Sequence, residues 1–379
     1  MKPDFIPITK PFFSDDEAEA VAKVLKSGWV CQGPVVAEFE KTVAGYTGAK
    51  YAVATTSCTS GLHTALLCMG VGPGDEVIVP SLSFIASANA VVYTGAKPVF
   101  IDIDNRTYNL DCGLIERLIT KKTKAIIAVH QAGLPCDIGR VCAIAKKKNI
   151  AVLEDAACAI GAEYKGRRIG ASDNIACFSF HPRKVITTGE GGVFTTSDPG
   201  VYKKAVSMRS HGASVSDLVR HKLNNIAFES YPELGFNYRM TDVQAAIGIE
   251  QMKKLGNVLK KRRLLAERYI KHIKGIKFIE PPFLPEYARH NFQSFIVRIT
   301  NLAVSRDRIM SYMLEKGIAT RRGIMALHEE PYYRRRFSGV KLPVTEHVSK
   351  ATMILPLYPQ MTFAEQDRVI ENLKKAVNI

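Results

Sequence analysis

The sequence predicts an α/β protein, with a large domain on a mostly parallel seven-stranded sheet and a smaller α+β domain towards the C-terminus. Three observations predict this. Between residues 51 and 196, seven short apolar or β-branched runs recur: YAVATT, DEVIVP, KPVFIDI, TKAIIAV, NIAVLED, NIACFSF and GGVFTT. Their starts near 51, 75, 97, 123, 149, 174 and 191 are mostly 22–26 residues apart, the length of a strand, a crossover helix and two loops. Beyond residue 240 the pattern changes to a long helical period, and 379 residues are comfortable for two domains. The expected division is 1–240 for the large domain with its N-terminal helical segment, and 241–379 for the linking helix and the smaller domain.

Composition narrows the class. Apolar residues make up 46% and charged residues 23%, which excludes a disordered, collagenous or coiled-coil chain. Apolar runs such as AIIAV end far short of the roughly 20 residues that a membrane span needs, so no membrane partner is expected. The start, MKPDFIPITKPFF, lacks the apolar core of a signal peptide, and the expectation is a cytoplasmic protein. The eight cysteines form no C-x-x-C pair, which suggests free thiols and no metal site. The net charge of +16 is unusual. Its basic clusters (KKTK, KKK, KKRR, RRR) lack the aromatic interleaving of a nucleic-acid surface. They read mostly as solvated faces, with a minority serving an anionic substrate.

The elements follow in order. SDDEAEAVAKVLKSG reads as one amphipathic helix in the first fifty residues, capped by Ser14 and closed by Gly28. In the sheet, only about ten residues separate NIACFSF from GGVFTT, too few for a crossover helix. GGVFTT is therefore expected to pair antiparallel, leaving HPRKVITTGE as an ordered loop at the sheet edge. Residues 201–240 have no clear period and suit a surface facing a partner subunit. Thr241 and Gln244 in MTDVQ form a capping box that opens a helix of roughly seven turns, with Val243, Ile247, Met252, Leu255, Leu259 and Tyr269 on its apolar side. NFQSFIVRI reads as a strand, and helices are expected near 304–316 and 362–376.

Three places carry chemistry. YAVATT runs straight into SCTSGLHTALLCMG, so small hydroxyl residues stand at a helix N-terminus. Free N–H groups and the helix dipole there favour an anion, and Ser57, Cys58, Thr59 and Ser60 suit a phosphate as well as they suit an ordinary cap. NIAVLED ends in Glu154 and Asp155 at the carboxyl end of a buried strand, where an acid needs a cation or a donor. Asp155 reads either as a helix cap or as the partner of a protonated ring nitrogen. Lys184 follows in FSFHPRKVITTGEGG, where apolar surroundings and neighbouring cations are expected to lower its charge preference and free its amine. An anion cup, a carboxylate and an amine on one rim are what pyridoxal 5′-phosphate (PLP) requires, and Phe84 is placed to stack on its ring.

With those residues in view, the chain resembles the DegT/StrS family of PLP-dependent aminotransferases, which act on keto groups of nucleotide-linked sugars. The likeness runs from SGWVCQGPVVAEFE through GDEVIVPSLSF, VHQAGLPCDI, EDAACAIGA, FSFHPRKVITTGEGG and GFNYRMTDVQAAIG to LPLYPQMT. It implies a fold-type I aminotransferase and a homodimer with shared active sites. By motif, Lys184 matches the Schiff-base lysine, Asp155 the acid on the pyridinium nitrogen, and Thr59, Ser179 and the backbone at Cys58 the phosphate ligands. Phe84 matches the aromatic over the ring, Asn237 a phosphate ligand given to the other subunit, and His328 a histidine near the sugar.

Two positions depart from that pattern. Cys158 stands where Gln or His usually touches the phenolic oxygen of the cofactor, and the TRRGIMALH segment lacks a common aromatic. Relatives that dehydrate sugars carry His in place of Lys184, so the lysine implies transamination. The implied reaction moves nitrogen from glutamate to a nucleotide-linked keto-sugar, with a lean towards C4 of a deoxy-hexose and a place in amino-sugar and polysaccharide biosynthesis. The rivals are a PLP-dependent sugar dehydratase and a regulatory or nucleic-acid-binding relative.

Overall fold

The computed structural model describes residues 5–215, 229–301 and 303–378. The seven runs form β1 (Tyr51–Thr55), β2 (Glu76–Pro80), β3 (Lys97–Ile101), β4 (Thr123–Val129), β5 (Ala151–Asp155), β8 (Ile175–Ser179) and β9 (Gly192–Thr196). They make one sheet in the order β1-β9-β8-β5-β4-β2-β3. The pairs from β8 to β3 are parallel, whereas β9 runs antiparallel to both neighbours. The short interval before GGVFTT thus forces the antiparallel pairing expected of it. Its strand nevertheless lies inside the sheet, between β1 and β8. The loop before it therefore closes over the rim of central strands, where the carboxyl ends of β5 and β8 also open.

Helices cover both faces, as a sheet of buried strands requires. On one face α3 (Cys58–Cys68) packs Leu62, Ala65 and Leu66 against Val53, Val77 and Val79. On the other, Phe39 and Val43 meet Phe178, Phe180 and the start of the long helix Asp242–Ile273. Thr241 and Gln244 cap that helix reciprocally, with Gln244 N–H donating to Thr241 Oγ1 at 3.2 Å and Thr241 N–H to Gln244 Oε1 at 3.0 Å. The apolar face differs in detail from the expected one, because Val243 and Ile247 are only half-buried while Ala245 and Ile249 enter the core. Met252, Leu255 and Leu259 pack in the large domain, whereas Leu265, Tyr269 and Ile273 belong to the C-terminal core.

Arg262 marks the changeover. It is buried, with Nε donating to the carbonyl of Phe292 at 2.9 Å and Nη2 to that of Gln293 at 2.6 Å, and burial lowers its pKa to about 10. Half of the KKRR cluster is therefore no solvated face. Arg263 also turns inward, to the carbonyls of His290 and Gly161.

The C-terminal sheet takes β10 (Ile279–Glu280), β12 (Phe295–Ile299), β14 (Thr352–Leu355) and β13 (Arg321–Arg322), in that order. Helices Arg306–Glu315 and Phe363–Ala376 lie close to their expected positions. Three short strands, β11 (Ala288–Arg289), β6 (Glu163–Tyr164) and β7 (Arg167–Arg168), tie the chain after β5 to this region. The first described residues join it too: Ile6 exchanges backbone hydrogen bonds with Gly317 and Ala319 and is buried in the C-terminal core. The chain start thus packs with the smaller domain, although the division at 240 assigns it to the larger one. Of the segment 201–240, residues 216–228 lie outside the described residues.

The first fifty residues hold two helices where one was expected: α1 (Asp15–Ser27) and α2 (Pro34–Thr47). The cap of α2 is invisible locally. Asp242, at the start of the long helix, accepts from the N–H groups of Gly33 (2.8 Å), Val35 (3.1 Å) and Val36 (2.9 Å). Asp242→Ala is expected to destabilise the fold by about 2 kcal/mol, since one buried carboxylate satisfies three orphan donors. Urea unfolding checks this, and an unchanged midpoint contradicts it.

Candidate active site

The anion cup forms where β1 meets α3. Ser57 caps the helix, its Oγ accepting from Ser60 N–H at 3.1 Å while Ser60 Oγ accepts from Ser57 N–H at 3.0 Å. The N–H groups of Cys58 and Thr59 then have no intrahelical acceptor. Behind them β9 approaches closely at Gly192, where a Cβ would lie 2.3 Å from the Ser57 carbonyl carbon and 2.4 Å from Cys58 N. Only glycine allows that approach. Ser179, paired with Gly192 across β8 and β9, ends its strand beside the same turn and is buried.

Glu154 and Asp155 share the end of β5 and point to opposite faces, as alternate strand positions must. Glu154 is structural. It bonds His130 Nε2 at 3.0 Å, Ser172 Oγ at 2.6 Å and Asn174 Nδ2 at 2.9 Å. Burial raises its pKa, but those donors outweigh burial and hold it below the usual value. Asp155 faces the cup. Its Oδ2 accepts from Ser87 Oγ at 2.7 Å and its Oδ1 from Ala157 N–H at 3.1 Å, a turn rather than a helix cap. Ser87 in turn touches Ser83 at 2.8 Å.

Lys184 completes the rim. Its loop is ordered by Thr188 N–H to the Phe180 carbonyl (2.9 Å), Thr187 Oγ1 to the same carbonyl (2.7 Å) and Gln244 Nε2 to the Glu190 carbonyl (2.8 Å). Lys184 Nζ lies 3.2 Å from Cys158 Sγ. Burial works to lower its pKa, yet Cys158, Cys58 and Asp155 outweigh burial and raise it. This corrects the sequence expectation of a cationic neighbourhood: the groups facing the amine are two thiols and a carboxylate. Burial likewise pushes the Cys58 thiol well up, with Asp155 and Cys177 adding to it. Cys58, Asp155, Cys158 and Lys184 therefore form one interacting cluster.

The remaining expected residues sit as follows. Phe84, in the loop after β2, is 65% exposed and leaves its ring free for contact. Asn237 is exposed and bridges Ser210 through its backbone, while the carbonyl of Tyr238 accepts from Thr56 N–H at 2.9 Å behind the cup. His328 is buried, with Nδ1 2.6 Å from Ser81 Oγ and Nε2 3.2 Å from Glu346 Oε1. Both of its ring nitrogens are engaged within the chain, at the end of β2.

Sequence reading missed three residues that hold the site. Ser87 fixes the Asp155 carboxylate. Asn291 is fully buried, and its Nδ2 donates to the carbonyls of Cys158 (2.7 Å) and Ile160 (2.9 Å). Gln293 Nε2 donates to the carbonyl of Arg183 at 2.9 Å, next to Lys184. The segment 291–293, itself gripped by Arg262, thus clips both flanks of the Lys184–Cys158 pair. The sequence expectation of a strand from Asn291 is corrected here, because β12 begins only at Phe295.

The donor set fits PLP. Backbone N–H groups and a hydroxyl suit its phosphate, a buried carboxylate suits its pyridine nitrogen, and a primary amine suits its aldehyde. Comparison with known proteins agrees with that chemistry. Residues 12–374 match the model of the DegT/DnrJ/EryC1/StrS aminotransferase family. A UDP-4-amino-4-deoxy-L-arabinose–oxoglutarate aminotransferase of Shewanella sediminis is 36% identical, over 100% of this chain and 99% of its own. PseC of Helicobacter pylori, an aminotransferase in pseudoaminic acid biosynthesis, superposes with a TM-score of 0.92 at 26% identity, covering 99% of each chain. Spr1654 of Streptococcus pneumoniae, described as a candidate sugar aminotransferase and determined in its PMP form, gives a TM-score of 0.92 at 29% identity, covering 98% of this chain and 99% of its own.

Two outcomes test the site. Gly192→Ala is expected to weaken PLP binding at least tenfold in a fluorescence titration, because the new methyl group displaces the Ser57–Cys58 turn; an unchanged dissociation constant contradicts this. Cys158→Ala removes the largest interaction that raises the pKa of Lys184 and leaves burial in place. The amine of the PLP-free protein is then expected to become reactive towards acylating reagents at lower pH than in the parent, and an unshifted pH profile contradicts that.

Proposed function

The chain belongs to the DegT/DnrJ/EryC1/StrS aminotransferase family, and from that premise we propose that it transfers the amino group of glutamate to C4 of a nucleotide-linked deoxy-keto-hexose. That it is a sugar aminotransferase follows from the family. The observation that carries the transamination reading is the cluster of Lys184, Cys158, Asp155 and Cys58 at the carboxyl ends of β5 and β8. The similarity to the aminotransferase acting in 4-amino-4-deoxy-arabinose chemistry favours C4. The charge of +16 suits a diphosphate substrate and a dicarboxylate donor.

PLP supplies an electron sink that weakens bonds at the carbon bearing nitrogen. The chain does the rest. The N–H groups of Cys58 and Thr59, with the Ser179 hydroxyl, hold the phosphate. Asp155, oriented by Ser87 and Ala157, keeps the pyridine nitrogen protonated and so keeps the ring electron-withdrawing. Phe84 covers one ring face. Lys184 would hold the cofactor's aldehyde through Nζ and, as a free amine, would accept the proton from the donor Cα. Cys158 holds Nζ between these tasks. His328, fixed by Ser81 and Glu346, positions the 325–329 segment beside the sugar. Asn237 of the partner subunit completes the phosphate site, so the working form is a homodimer.

Two experiments decide this. The PLP-loaded protein is expected to lose its visible absorption on addition of glutamate, whereas Lys184→Ala is not; a loaded protein indifferent to every amino acid contradicts transamination. If Lys184 and Asn237 serve one site from two subunits, mixing Lys184→Ala with Asn237→Ala regenerates one intact site per mixed dimer. Activity is then expected to recover above that of either variant. No recovery on subunit exchange contradicts the shared site.

A further inference from the structure

The eight cysteines are all free thiols, and one of them touches an amine. Cys58, Cys112, Cys136 and Cys177 are buried, while Cys68, Cys142 and Cys158 are half-buried. Burial pushes the Cys68 thiol up to about 12 and raises that of Cys142, whose Sγ accepts from Asn174 Nδ2 at 3.2 Å. Thiols held protonated in this way are poor nucleophiles. Cys158 differs, because Lys184 Nζ donates to its Sγ at 3.2 Å. An amine at that distance accepts the thiol's proton and then faces the thiolate as a cation. Thiolate character and access to solvent are what make a cysteine react with peroxides.

Both halves of the pair are held from outside. Asn291 Nδ2 donates to the carbonyl of Cys158 at 2.7 Å, and Gln293 Nε2 to that of Arg183 at 2.9 Å. Lys184 N–H donates to the carbonyl of His181 at 2.8 Å. On its other side the Cys158 carbonyl is packed against Gly133, where an added Cβ would lie 2.9 Å from it. Groups fixed at contact distance react as parts of one molecule, without the cost of finding each other. Gln or His, the usual residues at the position of Cys158, have no sulfur to oxidise.

We propose that peroxide joins Cys158 to Lys184 by a reversible S–N bond, and that this cross-link and PLP compete for the one nitrogen. In the first step Sγ attacks an oxygen of a hydroperoxide and the O–O bond breaks. The sulfur is oxidised by two electrons to a sulfenic acid, the peroxide is reduced, and its other oxygen leaves as water when the oxidant is hydrogen peroxide. In the second step the lone pair of Nζ attacks Sγ and the S–O bond breaks. The departing hydroxide takes a proton from the amine and leaves as water, with no further change of oxidation state. A small thiol reverses the link by attacking Sγ and releasing the amine, and a second thiol resolves the mixed disulfide. Formation of the link needs only the Cys158–Lys184 contact. The competition rests on the reading above, in which Lys184 holds the aldehyde of PLP.

PLP-free and PLP-loaded protein, each treated with hydrogen peroxide, test this by intact mass and peptide mapping. The PLP-free protein is expected to lose two hydrogen atoms, about 2 Da, with the Cys158 and Lys184 peptides joined. Its PLP uptake, read by visible absorbance, is expected to fall at least tenfold, and dithiothreitol to restore both mass and uptake. The loaded protein is expected to show no joined peptides. Cys158→Ser is expected to take up PLP equally before and after peroxide. Oxygen added at Cys158 without a link to Lys184 overturns the proposal. A loss of two hydrogens that persists in Lys184→Ala overturns it too, and identifies a disulfide instead. Equal cross-linking of the loaded protein, or a link that leaves PLP uptake intact, overturns the competition and with it the placing of PLP on Lys184. If no link forms while PLP still loads on Lys184, the cross-link fails and the aminotransferase reading stands. The mapping uses the parent sequence, so it decides the matter even where a variant misfolds.

Discussion

A carboxylate buried at the end of a parallel strand is the constraint on which the rest of this structure depends. Asp155 is 5% exposed, and an acid in that position is costly without fixed donors. Ser87 and Ala157 supply them, and the register of β5 against β8 then decides what the acid faces. With Asp155 level with Cys177, strand β8 ends two residues further on at Ser179, and its loop brings Lys184 back over the same rim. β9, entering antiparallel, brings Gly192 against the Ser57–Cys58 turn and sets the anion cup. One strand register thus aligns a carboxylate, an amine and an N–H cradle that come from three parts of the chain.

Much of this was legible in the sequence, for local reasons. Thr241 and Gln244 cap each other within four residues, and the short gap before GGVFTT permits only a return strand. Asp155 stands out because it closes a buried run with an acid, and Lys184 because it stands in the loop that follows another such run. Whatever depended on distant partners stayed hidden. α2 has no local cap and begins only because Asp242, more than two hundred residues away, accepts its first N–H groups. The electrostatics of Lys184 are hidden for the same reason: the loop sequence shows its basic neighbours, whereas Cys58, Asp155 and Cys158 arrive from other parts of the chain. Asn291 and Gln293 act through main-chain carbonyls, and nothing in their own segment announces those contacts.

The two domains are joined by polar contacts beside the rim that carries Lys184 and Cys158. Arg262 turns the long helix from one core to the other while gripping the carbonyls of Phe292 and Gln293. The next link runs from Asn291 and Gln293 to the backbone at Cys158 and Arg183. A chain of hydrogen bonds, buried at Arg262 and Phe292 and open to solvent at Gln293 and Arg183, therefore connects the smaller domain to the residues flanking Lys184. Part of the positive charge that looks like bulk composition is thus buried in structure, as at Arg262.

The central claim is that Lys184, among all the lysines, carries the cofactor. Reduction of the PLP-loaded protein with borohydride, followed by proteolysis and mass spectrometry, tests it most directly. The account predicts a single pyridoxyl group on the peptide containing Lys184. A pyridoxyl group on another lysine, or none on a protein that binds PLP, would contradict it.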